Sequence, residues 1–265
     1  MDFNFEMKKC RDIKIEEFVN LVAGNKVNLD ILDPQLCIAR EGIFQTFYAP
    51  FEHINTEARV TVVGLTPGQT QMQIALKETR LALANGASWH HAIERAKYLA
   101  SFGGPMRANL VKMLDHIGLN VWLQIDSCAS LFSEHKSMAH HTSVLRYPVF
   151  KGSQNYSGQP AIERVPFLKS QVDRWFAKEL EQLPHSVFIP LGGEVQNIFK
   201  RLVQDQKISN DRSLFGIPHP SGANAERISY FLGHKSKADL SKQTNGDSID
   251  CIREKLIVKV RSLRR

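Results

Sequence analysis

A run of β-branched residues that breaks into a Gly/Pro turn constrains this chain most. Residues 60–71 read VTVVGLTPGQTQ. Such a short, continuous apolar run suits a strand buried on both faces. It ends in Gly-Leu-Thr-Pro-Gly and passes into residues with no helix breaker up to Leu83. The order recurs: TSVLRYP, SVFIPLGGE and a strand-like stub before GIPHPSG each set a turn after strand-forming residues. Strands alternating with helical spacing predict an α/β protein, a three-layer α/β/α sandwich with a central, mainly parallel sheet of about four strands. One domain is expected over residues 1–265, with a helical extension at 1–43 and a basic tail and helix at 234–265. Ligands of such sheets gather beyond the carboxyl ends of the strands, so these loops are expected to converge on one crevice.

Helices are expected at Ile15–Val22, Pro34–Phe44, Gln71–Leu83, Trp89–Ala100, Asn109–Ile117, Val172–Leu183, Glu194–Leu202 and Ile249–Leu263. Strands are expected at Val60–Val63, Val121–Ile125, Val144–Tyr147 and Ser186–Leu191, and KGSQNYSGQP reads as a polar loop. A hydrophobic content of 43% and 23% charged residues match ordinary globular composition. The net charge of +7 favours a polyanionic partner. No apolar run approaches the ~20 residues that cross a bilayer, and Met1–Arg11 lacks a signal-peptide core, so no membrane partner and a cytoplasmic location are expected. Cys10, Cys37, Cys128 and Cys251 form no C-x-x-C pair. His90, His91, His135, His140 and His141 lack the H-E-x-x-H spacing, so neither a metal nor another cofactor is expected.

Taken together, the loops resemble the uracil-DNA glycosylase superfamily. Gly64-Leu65-Thr66-Pro67-Gly68 is similar to its first motif, G-x-[DNA]-P-[YG], and His219-Pro220-Ser221 to its last, H-P-S. SFGGPMRANL and TSVLRYP resemble intermediate segments of the bacterial iron–sulfur class, although the closely spaced N-terminal cysteine pair of that class is missing. The resemblance covers about residues 44–233 and implies a monomeric DNA-binding enzyme that flips a base from the stack and hydrolyses its N-glycosidic bond. It implies His219 as donor to the departing base and Phe102 as the stacking ring. It also implies Gly64, Leu65, Pro67, Gly68, Gln69 and Ser143 around the base, with Thr66 and Gln71 handling water. Ser221, Gly222, Asn224 and Arg227 follow the last motif and are expected to meet DNA.

Three departures bear on the substrate. Thr66 replaces an acidic or amide residue and is a poor base, which leaves Glu78 and Asp126 as candidate carboxylates. Gly68 stands where strict uracil enzymes carry a blocking Tyr, and Ser143 where an Asn pairs with uracil. A single hydroxyl cannot reproduce that two-bond pairing. These changes point to a modified or bulky pyrimidine, such as a hypermodified phage cytosine excised in anti-phage defence. A uracil or mismatch repair enzyme, a silent DNA-binding relative and an enzyme acting on free nucleosides are the competing readings.

Overall fold

The strand beginning at Val60 runs to Gly64 and pairs in parallel with Val187–Pro190, in register from Val60 opposite Val187 to Val63 opposite Pro190. Ala139–Ser143 completes a three-stranded parallel sheet on the other side of Val60–Gly64. The computed structural model describes residues 15–24, 27–29, 32–101 and 104–263. Their fold is mixed α/β, and the chain divides into two compact units, each drawn from three stretches of sequence. The first unit takes residues 1–53, 66–101 and 143–176, and the second takes 54–65, 102–142 and 177–265.

The second unit holds the parallel sheet. Side chains alternate across a strand, so Val187 and Ile189 join Val60, Val62, Leu110, Leu114, Ile228 and Leu256 in one buried cluster. Phe188, between them, meets Phe199 of the helix Gly193–Gln204, ring centroids 5.7 Å apart. The cluster is closed by the helices Gly104–His116, Ala225–Phe231 and Gly246–Ser262.

The first unit holds a separate sheet, antiparallel throughout, in the order Cys37–Glu41, Phe44–Phe47, Val149–Lys151, Gln154–Asn155. It also holds the helices Gln69–Ala84 and Trp89–Ala100. The first buries Met72, Ala75, Leu76 and Thr79, one helical stripe. Ser88 caps the second by accepting from the backbone N–H of His91.

Several expected elements are corrected. Pro34–Phe44 is not a helix: a short 3-10 turn at Pro34–Leu36 leads into the hairpin of Cys37–Glu41 and Phe44–Phe47, and Gly42, at φ +56°, supplies the left-handed residue of the turn. Val121–Ile125 is not a strand. The helix Leu119–Leu123 buries Leu119, Trp122 and Leu123 at i, i+3 and i+4 and leaves Val121 69% exposed, a helical rather than alternating pattern. The strand assigned to Val144–Tyr147 lies earlier, at Ala139–Ser143, where two histidines conceal it. The backbone N–H of Asn55 donates to His140 Nδ1, so His140 Nε2–H donates to the fully buried Glu179 carboxylate at 2.7 Å. Neither polar group is left unpaired by burial. Val172–Leu183 divides into a π-helical turn, Val172–Phe176, and a helix, Ala177–Glu181. Part of KGSQNYSGQP is the short strand Gln154–Asn155.

Candidate functional site

The residues of the expected site fall in both units and are described within each. Thr66, Pro67, Gly68, Gln69, Gln71 and Ser143 lie in the first; Gly64, Leu65, His219, Ser221, Gly222, Asn224 and Arg227 lie in the second. Phe102 lies outside the described residues.

In the first unit the Thr66 hydroxyl donates to the carbonyl of Tyr147 (3.1 Å) and accepts from the backbone N–H of Val149 (3.0 Å). Its single proton is spent on a carbonyl and a lone pair on an amide. Thr66 therefore ties the turn to the start of the strand Val149–Lys151. Gln71 is committed as well. Its Oε1 accepts from the N–H of Gly68 (3.0 Å), one half of a capping box, and its Nε2 donates to the carbonyl of Ala100 (3.1 Å), the last residue of the neighbouring helix. The N–H of Gln69, an unpaired donor of the helix start, is satisfied by Asn155 Oδ1 at 3.0 Å.

Asn155 also explains Gly68. A Cβ on residue 68 would stand 3.3 Å from Asn155 Nδ2, tighter than ordinary packing. The missing side chain lets Asn155 close onto the helix start. No local sequence signal marks this, because Asn155 lies 86 positions beyond Gln69. Ser143 is a half-buried residue at the end of its strand.

In the second unit the last motif is built around His219. Its Nδ1 lies 3.0 Å from Ser221 Oγ and accepts from the Ser221 N–H at 3.3 Å. With Nδ1 as acceptor, the ring proton is assigned to Nε2, which becomes a neutral donor. Burial pushes the His219 pKa below the ordinary imidazole value, which favours the same neutral ring. Ser221 Oγ accepts from Asn224 Nδ2 (3.2 Å), and Asn224 Oδ1 accepts from the exposed Arg227 (3.3 Å). Asn109, of the SFGGPMRANL segment, donates to the carbonyl of Pro220 at 3.0 Å. Gly192 adopts φ +93°, and a Cβ there would touch His219 Cδ2 at 3.4 Å. Downstream, Glu226 gathers Lys235, Ser241 and Thr244, and these bonds hold its carboxyl far below the usual range. The polar stretch after residue 234 is thus anchored.

Glu78 pairs with Arg95 at 3.5 Å, and Asp126 is exposed in the second unit. In the first unit, the half-buried Glu52 has both carboxylate oxygens shut from solvent beside the Tyr48 phenol. Burial raises its pKa; Tyr48, Arg146 and Lys97 oppose that rise. Among the described residues no group of three or more His, Cys, Asp or Glu side chains could hold a metal ion, and no helix is long and apolar enough to cross a membrane. A cavity of about 450 Å³ in the second unit is lined by His116, Trp122, Ile257 and Arg261 among others and includes none of the expected site residues.

The fold and these two groups define a mixed α/β protein with two compact units and a neutral histidine set in a tight H-P-S loop. The chain is 35% identical over 230 residues to the uncharacterized protein YoxB of Bacillus subtilis (strain 168), covering 86% of this chain and 89% of that protein, and it belongs to the same family. No family model matches the chain, and no solved structure matches it.

Proposed function

We propose that the chain is a monofunctional DNA glycosylase for a modified or bulky pyrimidine, acting in the cytoplasm as a monomer on a three-layer α/β/α scaffold. The neutral His219 carries this reading: with Nδ1 held by Ser221, its Nε2–H is left as a donor suited to negative charge on a departing base. The order of GLTPG, FGG…NL, TSVLRYP and HPS along the chain supports it. In this reading the Gly64–Gly68 turn serves the base and sugar, and Arg227 with the Ser221–Asn224 loop serves phosphates. No lysine stands in the motifs to form a Schiff base, so strand cleavage is not expected.

The test is base release from duplexes carrying uracil, a thymine mismatch, 5-hydroxymethylcytosine or its glucosylated form, read as alkali-labile abasic sites. Release of a modified base, lost in His219→Ala with DNA binding retained, supports the proposal. Release from uracil alone sinks the enlarged substrate class. A silent DNA-binding protein is the second reading, favoured by the commitment of Thr66 and Gln71 to backbone partners. It gains if no duplex loses a base while DNA is still bound.

A further inference from the structure

The cavity of about 450 Å³ in the second unit takes no residue from the H-P-S loop or from the Gly64–Gly68 turn. It lies among the helix Gly104–His116, the helix Leu119–Leu123 and the last turns of Gly246–Ser262. Gly118, at φ +81°, turns the chain between the first two helices. The volume falls in the roughly 300–1,000 Å³ range of small-molecule sites, which are mostly apolar with a few placed polar groups. Ile117, Trp122 and Val260 belong to the buried cluster under the sheet, so the floor of the cavity is part of the core. Ile257 and Leu263, both half-buried, and Val121, 69% exposed, carry the apolar lining out to the mouth.

The aromatic wall is fixed before any ligand arrives. Trp122 Nε1–H donates to the carbonyl of Leu263 at 3.3 Å, and the Arg59 guanidinium carbon stands 4.6 Å from the ring centroid. The polar groups at the cavity carry one uncommitted charge. Asp115 borders it, but Oδ2 accepts from the Ser127 hydroxyl and Oδ1 from the Cys128 N–H, both at 2.7 Å. Burial, then the charges of Arg253 and His234, lower the pKa of His116, so its ring stays neutral near pH 7. Two other cations of the last helix are engaged: Arg253 pairs with Asp250 at 2.7 Å, and Lys259 donates to the carbonyls of Asn210 (2.7 Å) and Ser213 (2.9 Å). Arg261, which lines the cavity, has no ion pair or hydrogen bond among the described residues.

We propose that this cavity binds a small apolar monocarboxylate, with its hydrocarbon body against Ile117, Trp122 and Val260 and its carboxylate on the Arg261 guanidinium. An apolar floor calls for an apolar body, and burying that body supplies most of the affinity. A free guanidinium at the edge of that floor calls for a single anionic head, because its fork of N–H donors matches the two oxygens of a carboxylate. The one acidic side chain at the cavity is already bonded and does not compete for the guanidinium. The site is independent of the glycosylase reading.

The test titrates the full-length protein, without DNA, by calorimetry with two matched pairs: decanoate against 1-decanol, and 2-naphthoate against 2-naphthol. Within at least one pair, wild type is expected to bind the carboxylate roughly fivefold tighter than the neutral partner, the upper range for an ion pair near solvent. Preference in the first pair makes the body an alkyl chain and in the second an aryl ring; either supports the proposal. Arg261→Gln should abolish the preference and leave the neutral partner's affinity unchanged, and Arg261→Lys should retain part of it. Ile257→Phe, which fills the cavity, should weaken both members of the pair. No binding of any probe overturns the proposal, as do equal affinities within both pairs and a preference that survives Arg261→Gln. Binding that Ile257→Phe leaves unchanged puts the site elsewhere and also overturns it. Self-association in sedimentation that Val121→Glu abolishes, with no probe bound by wild type, makes the cavity an interface between copies and overturns it as well.

Discussion

The hydroxyl of Thr66 joins the backbone of Tyr147 and Val149, accepting from one peptide and donating to the other across more than 80 positions of sequence. A residue that sequence comparison places among the water-handling groups is thereby a clamp between a turn and a strand. The distinction matters because a hydroxyl with its proton and a lone pair both spent has little left for chemistry.

Removing the clamp should cost stability before it costs chemistry. Thr66→Val keeps the shape but leaves the Val149 N–H and the Tyr147 carbonyl unpaired, an expected loss of about 1–3 kcal/mol. Thr66→Ser should restore most of it. Urea unfolding of the three proteins measures this; equal midpoints for Val and wild type would show that the bonds contribute nothing.

The start of the helix Gln69–Ala84 depends on a distant amide. Asn155→Ala should destabilise the protein by about 1 kcal/mol, the usual cost of a lost helix cap. Gly68→Ala should push against Asn155, so Gly68→Ala with Asn155→Ala together should cost less than the sum of the two. A double-mutant cycle with no coupling would contradict the packing.

Gly192 stands beside His219 with a left-handed backbone, so Gly192→Ala carries both strain and a contact with the ring. A loss of about 1–3 kcal/mol is expected from the backbone conformation. Gly193→Ala, with open space around its Cβ, serves as the control. Thermal unfolding separates them, and equal losses at both positions would remove the special role of residue 192.

The His219 ring should stay neutral through the physiological range. Its folded pKa lies below the unfolded value near 6.5, so the unfolded chain binds the proton more readily. The stability contributed by the neutral ring is complete above the unfolded pKa. It declines as pH falls from there toward the folded pKa. Imidazole resonances followed by NMR should titrate below 6.5, and base release, where observed, should fall on the acid side at that same lowered value. Titration at or above 6.5 would contradict the burial argument.

Much of the architecture was legible locally. The helix Trp89–Ala100 and the strands at Val60 and Val187 are carried by short-range apolar patterning and by caps such as Ser88. The pattern misled where side chains took polar partners inside. Ala139–Ser143 reads as polar because the partner of the buried His140 Nε2, Glu179, stands 39 residues away. The hairpin at Cys37–Phe47 reads locally as a helix because its apolar residues suit either period until a partner strand fixes the pairing.

The sequence by itself determined the α/β character, the turn after Val60–Gly64 and the position of His219 before Pro220, because these rest on residue type and near neighbours. Tertiary structure alone decided that Thr66 and Gln71 bond to backbone partners, that Asn155 fills the space over Gly68, and that both Glu52 carboxylate oxygens lie out of water. Hydrogen-bond satisfaction and desolvation depend on groups that only folding brings together, and a linear string records neither.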